Sequence, residues 1–307
     1  MKLAYFPGCS AKTTCPELYQ SLKVVARELG MDLEEIETAS CTGSRQLREG
    51  NWELFLTLNA RTLALAEQMG RPVMTICATC VLNLVEVNEI LRKDETVRAK
   101  INANLADSGL TYRGTTEVTH LLWVLLRDIG AETLARRFKR PLRGLRVGPF
   151  YGCHILRPKH ALSFDDPDSP TSLDKLISLV GAEPTGFAGR TNCCGFHVLM
   201  TKEQVAMGLA SKRLGEASDA AVDCLVTTCP LCHTSLDAYQ GLAGKRAGRS
   251  FQTPILHLPQ LVGLAMGLDP KELMLDAHMV STAKVLDKLE HSHADRNREG
   301  TPVGHGM

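Results

Sequence analysis

Cysteine spacing constrains this chain more than any other feature. Two Cys-x-x-Cys pairs, Cys77-Ala78-Thr79-Cys80 and Cys229-Pro230-Leu231-Cys232, each follow a short apolar run, and each begins 36 residues after another cysteine, Cys41 and Cys193. Both halves also place Gly-Cys after an aromatic-containing run, as Phe6-Pro7-Gly8-Cys9 and Phe150-Tyr151-Gly152-Cys153. The first interval differs, 32 residues against 40, and the Pro- and Asp-rich stretch Arg157 to Pro170 absorbs the difference, because loop insertions cost little. Agreement in spacing and in residue type predicts an internal duplication.

The patterning around the cysteines predicts alternating strands and helices. Leu3 to Phe6, Leu33 to Ile36 and Val73 to Ile76 read as strands of the first half, and Leu145 to Tyr151 and Ala221 to Thr227 as strands of the second. Helices are expected from Pro16 to Leu29, Asn51 to Met69, Val81 to Leu91, Ser172 to Val180 and Lys202 to Ala217, with a further one after Cys232. The cysteines then fall at the carboxyl ends of strands, where open parallel sheets gather their ligands. Helix amino termini there offer N–H groups and partial positive charge to thiolates.

Composition excludes several classes. A net charge of +1 over 307 residues, without a broad basic stripe, gives no reason to expect nucleic acid. The amino terminus reads as no signal peptide, and the longest apolar run, Leu121 to Leu126, is too short to span a bilayer. Eleven cysteines therefore point to a reducing cytoplasmic setting, where close pairs read as metal or redox sites rather than disulfide staples.

Cys9, Cys41, Cys77 and Cys80 would complete either a zinc site or a four-iron cluster. Cys153, Cys193, Cys194, Cys229 and Cys232 are five, more than a tetrahedral zinc or a regular cubane uses. Adjacent cysteines such as Cys193-Cys194 make a poor mutual disulfide, and Gly195 after them leaves room for a bulky inorganic group. In register with Cys194 the first half has Thr42, a poor iron ligand. Histidines stand beside the second-half cysteines at His154, His197 and His233, where the first half has Ser10, Arg45 and Val81. Histidine moves protons near neutral pH, so the reactive site is expected in the second half, with these three as candidate catalytic residues. Cys15, before Pro16, is a candidate substitute ligand whose place at a helix start favours a thiolate, and Cys224 reads as packing.

These motifs resemble the cysteine-rich CCG family typified by the B-type subunit of heterodisulfide reductase, over nearly the whole chain to the second Cys-x-x-Cys helix. The resemblance implies an α/β fold of two tandem duplicated Rossmann-like CCG domains related by pseudo-twofold symmetry. Boundaries are expected at 1–140 and 141–290, with a flexible tail over 291–307 and a solvated junction at Arg136 to Pro141. Each full five-cysteine set would hold a non-cubane [4Fe-4S] cluster that binds and forms or cleaves a sulfur–sulfur bond. For the first half the options are a [4Fe-4S] cubane relay, zinc, or a non-cubane cluster with substitute ligation. Implied partners are a C-type iron–sulfur subunit and an A-type flavin subunit, with a thiol or disulfide substrate, on a lipoate-bearing carrier if the sulfur-oxidising branch applies. Other relatives serve as electron-relay or anchor subunits of dehydrogenases, and a zinc-stabilised structural protein is the third reading.

Overall fold

A computed structural model describes residues 1–299. The first half runs β1 (Lys2–Phe6), α1 (Gly8–Thr13), α2 (Pro16–Glu28), β2 (Asp32–Glu35), α3 (Ser44–Gly50), α4 (Trp52–Met69), β3 (Val73–Thr75), α5 (Ala78–Lys93), α6 (Glu95–Leu105), β4 (Val118–His120), α7 (Leu121–Trp123) and α8 (Ala131–Arg137). The second runs β5 (Arg146–Phe150), α9 (Ser172–Leu179), β6 (Glu183–Pro184), α10 (Glu203–Asp219), β7 (Cys224–Thr227), α11 (Pro230–Leu236), α12 (Gln240–Ala247), β8 (Ile255–His257), α13 (Leu258–Met266) and α14 (Ala283–Glu299).

The duplication is structural. Each half folds on a four-stranded parallel sheet, in the orders β2-β1-β3-β4 and β6-β5-β7-β8. The central strands are apolar on both faces because helices cover both, so Leu3 to Phe6 and Cys224 to Thr227 are all buried. In this strand order the connection reverses between β1 and β3, and again between β5 and β7. A crevice for ligands opens at such a switch point, at the carboxyl ends of the strands. Registry brings Phe6, Thr75 and His120 to one level at that end, and Phe150, Thr227 and His257 to the same level in the other sheet.

Local signals explain the elements that deliver the cysteines. Pro16 opens α2 from its first turn, the Asn51 side chain accepts the Leu54 N–H at 3.0 Å to start α4, and Gly70 closes α4 with φ 63°. Three strands carry no legible signal in the sequence. β4, β6 and β8 have three, two and three residues, too few to display a period, and parallel pairing to a neighbour makes them strands. Of the expected flexible tail, 291–299 continue α14, whose earlier turns carry buried Val285 and Leu289, while 300–307 lie outside the described residues.

Candidate metal centre at the domain dyad

Two glycines fix how closely backbone and sulfur approach. Gly8 and Gly152 have φ of 73° and 67°, and a Cβ on them would stand 3.2 Å from Cys80 Sγ and 3.1 Å from Cys232 Sγ. Each Gly-Cys turn is thus folded under the second thiol of its half's Cys-x-x-Cys pair, and a side chain there would push the sulfur away. The pairs themselves sit at the starts of α5 and α11, where Thr75 Oγ1 and Thr227 Oγ1 each accept the N–H of the first cysteine, Cys77 or Cys229, at 3.4 Å.

In the second half the five cysteines form one continuous run of neighbours. Cys153 lies beside Cys193, Cys193 beside Cys194, Cys194 beside Cys232, and Cys232 beside Cys229. The Gly195 N–H donates to Cys193 Sγ at 3.3 Å, and Ser235 Oγ donates to the Cys194 carbonyl at 2.8 Å. Arg157 ties the inserted loop to this site, bonding the Thr191 and Pro167 carbonyls. Thiol donors gathered around one sulfur stabilise it as the thiolate. Contacts from Cys153 and Cys194 push Cys193 down to about 2, and those from Cys232 and Cys77 push Cys229 well below its usual range. Their donors shift upward, Cys194 to about 12 because of Cys193. Metal ions replace such shared protons when they bind.

The first half repeats this arrangement with one change. Cys77 touches Cys80, and Cys41 Sγ lies 3.7 Å from Cys9 Sγ. The Cys41 contact pushes Cys9 down to about 6 and leaves Cys41 protonated. Thr42 Oγ1 stands 3.7 Å from Cys80 Sγ, in the position that Cys194 takes beside Cys232. Its backbone and hydroxyl are held by Asn59 and Asn83. Cys9 and Cys41 are exposed, and a cavity of about 200 Å³ reaches Cys9, Cys41, Cys77 and Cys80.

The two sites share a wall. Cys77 Sγ and Cys229 Sγ, equivalent in the repeat, are 3.9 Å apart across the dyad. Thr79, inside the first pair, reaches into the second half: its Oγ1 is 3.0 Å from His154 Nδ1, 3.4 Å from His197 Nε2 and 3.9 Å from Cys229 Sγ. Ser44 Oγ bonds His197 Nδ1 at 3.1 Å, and the His154 and His197 rings are 4.7 Å apart. Burial, reinforced by His197, pushes His154 down to about 4, so its ring is neutral near pH 7. His197 is lowered for the same first reason.

Other expected residues lie elsewhere. His233 is buried with His257 and His278, its Nε2 2.9 Å from His278 Nδ1 and its ring stacked on His257 at 3.8 Å. Cys15 is corrected: it is buried against Thr234 and the Pro230 carbonyl of the second half, and burial pushes its thiol up to about 11 rather than down. Its place before a helix suggested a thiolate, but desolvation outweighs the helix terminus. Cys224 is buried within β7 as a packing residue. Thr79, Glu17 and His257 were missed: Thr79 fills a variable position of the first Cys-x-x-Cys pair, Glu17 and His257 belong to no motif, and each acquires a role only where the halves meet.

The CCG cysteine-rich domain family matches the chain twice, over residues 3–85 and 147–237. The membrane anchor subunit of 8-methylmenaquinol:fumarate reductase from Wolinella succinogenes is 42% identical over 284 residues, covering 92% of this chain and 99% of that protein. The B-type subunit of the ferredoxin/F(420)H(2)-dependent CoB-CoM heterodisulfide reductase from Methanosarcina acetivorans is 30% identical, covering 94% and 97%. A solved structure of a hypothetical protein from Helicobacter pylori aligns with TM-score 0.77 at 20% identity, over 92% of this chain. The chain spans 52% of that protein's length, and the likeness is one of fold.

Proposed function

The chain belongs to the cysteine-rich CCG family, as a protein like the B-type subunit of heterodisulfide reductase, and from that premise we propose that it is an iron–sulfur oxidoreductase subunit working at the second-half cysteines. The supporting observation is the unbroken run of five sulfurs from Cys153 to Cys229. A tetrahedral ion uses four donors, so a fifth in contact fits a larger, distorted metal–sulfide core. Cys153, Cys193, Cys194, Cys229 and Cys232 would hold a non-cubane [4Fe-4S] cluster, which supplies electrons and a Lewis-acidic iron to a bound thiol or disulfide. Cys9, Cys41, Cys77 and Cys80 would hold a [4Fe-4S] cubane or zinc. The 3.9 Å contact between Cys77 and Cys229 gives electrons a short path between the two sites.

The chain's own residues would shape the second site in three ways. Gly152 admits the Cys232 sulfur close to the backbone, the Gly195 N–H compensates charge on Cys193, and Thr79 holds His154 and His197 over the shared wall. His154 and His197 are the proposed proton relay, each neutral ring accepting a proton from a bound thiol and passing it on. His233, packed away with His257 and His278, would support the fold around Cys232 instead of exchanging protons with substrate. Electrons would reach a partner chain carrying regular clusters or flavin, such as C-type and A-type subunits. A lipoate-bearing carrier would present the substrate if the sulfur-oxidising branch applies.

A second reading is favoured by the 42% identity with a membrane anchor subunit: an electron relay of a quinone-linked dehydrogenase. Among the described residues no helix is long and apolar enough to cross a membrane, so attachment would run through the surface or a partner. The test is anaerobic purification, assay of iron and acid-labile sulfide, then paramagnetic resonance with a small disulfide or a menaquinol analogue added. A second-half signal that shifts with the disulfide is expected. A shift with quinol alone would transfer the assignment to the relay, and zinc without sulfide would overturn both.

A further inference from the structure

Beneath the cysteine sites lies a second cluster of metal-binding residue types, distinct from the nine ligands assigned above. Cys15 and Glu17, at the start of α2, meet His257 at the end of β8 and His233 on α11. One donor atom from each lies within 4.8 Å of the others, and all four residues are buried, at 1%, 4%, 1% and 4% exposure. Two donors come from each half of the chain. We infer that Cys15, Glu17, His233 and His257 form a mononuclear divalent-metal site, zinc by donor chemistry, that pins the two halves together.

The charge balance is the first argument. Glu17 is a buried carboxylate whose one ion-pairing neighbour among the described residues is His257, 2.9 Å away. Among the described residues no Lys or Arg is ion-paired with any of the four, which offer one carboxyl, one thiol and two imidazoles. A buried anion without counter-charge costs several kcal/mol, roughly, even after relaxation. A divalent ion would supply the charge, and neutral imidazole, carboxylate and thiolate are the donors that zinc takes.

Orientation is the second. His257 Nδ1 accepts the Gln260 backbone N–H in a capping box, so Nε2 faces Glu17. The ring proton then sits on Nε2, toward Glu17, so ligation through Nε2 requires that proton to move to Nδ1. Around the four donors lie Thr234, 3.5 Å from Cys15 Sγ, and His278, itself held by Gln260. A tetrahedral zinc with bonds of about 2.0–2.3 Å holds its donors about 3.3–3.8 Å apart, so the set must contract by about an ångström. Binding would exchange the Glu17–His257 and His233–His278 bonds for four coordinate bonds, release the Cys15 proton to solvent, and move the His257 ring proton from Nε2 to Nδ1, which gives up the Gln260 N–H. An open cavity of about 520 Å³ lined by Asp276, His278 and Thr282 reaches the outer edge of the cluster.

The test measures zinc and iron separately in the anaerobically purified full chain and in two variants. Glu17→Gln with His257→Gln should lose about one zinc per chain and keep its iron. Cys9→Ser with Cys41→Ser should keep that zinc. Zinc lost only from the cysteine variant, or absent throughout, overturns the site. Should the first variant fail to fold, anomalous diffraction at the zinc edge from the unaltered protein decides: a peak among the four donors supports the site, and none overturns it. None of these outcomes depends on whether the second-half cysteines act on sulfur or relay electrons.

Discussion

The two halves of this molecule are one design carried out twice with a single ligand changed. Sheet order, the glycine beneath the second thiol, the threonine that receives the first cysteine's N–H and the glycine N–H on the middle thiol all repeat. Cys194 against Thr42 does not, nor do His154 and His197 against Ser10 and Arg45. Arg45 instead joins Arg48 on Glu86, a fixed ion-pair network on the first half's flank. The difference teaches that the scaffold holds either donor set, so the identity of each centre follows from a few side chains and not from the fold.

The most damaging way to break the comparison is to remove Cys229, the proposed ligand of the richer site that also meets the other half. Cys229→Ala deletes a thiolate bonded by Cys232 and by Cys77 of the other half. Loss of a group that merely orients a ligand costs about 10–100-fold, so a lost ligand should exceed that. Second-half iron and all turnover should vanish, and any first-half signal should narrow because the neighbouring spin is gone. Iron content equal to that of the unaltered protein would place the cluster elsewhere.

Thr42→Cys sharpens the same comparison by restoring symmetry. The hydroxyl already stands 3.7 Å from Cys80 Sγ, and the new thiol would meet Cys80 as Cys194 meets Cys232. The first-half centre should then take up iron and give a resonance signal like the second's, while Cys194→Thr should convert the second toward the first. If Thr42→Cys leaves the metal content and spectrum unchanged, ligand count does not set the difference.

A smaller effect tests whether the two turns bear equal load. Gly8→Ala and Gly152→Ala both force a Cβ into left-handed backbone, at roughly 1–2 kcal/mol, and against a sulfur 3.2 and 3.1 Å away. Each should lower the melting temperature by about 2–8 °C, given about 2–4 °C per kcal/mol. A drop in only one of them, followed by thermal unfolding of the holoprotein, would show that one half carries the stability.

Much of this was legible in the chain because duplication prints itself in spacing. Equal intervals from Cys41 to Cys77 and from Cys193 to Cys229 located both sites, and long amphipathic helices such as α4 showed their period and caps. The fourth strands were not legible. Three-residue β4 and β8 have no period, and the Nε2 atoms of their histidines meet distant residues: His120 Nε2 the Thr228 carbonyl at 3.0 Å, His257 Nε2 Glu17 at 2.9 Å. Cys15 misled because local sequence showed its helix start and not the second half packed over it.

The finest distinction rests on Thr79, a first-half residue in contact with second-half chemistry. It is buried, so Thr79→Val keeps the shape and removes the hydroxyl that meets His154, His197 and Cys229. Losing that partner should cost about 1–3 kcal/mol, the usual penalty for a buried polar atom left unpaired, without loss of iron. Leu231 occupies the matching place in the second pair, so the first half receives no comparable hydroxyl. The second-half resonance should therefore shift on Thr79→Val while the first-half signal holds still. A shift confined to the first half would mean that Thr79 serves the pair it belongs to, and that His197 is anchored by Ser44 instead.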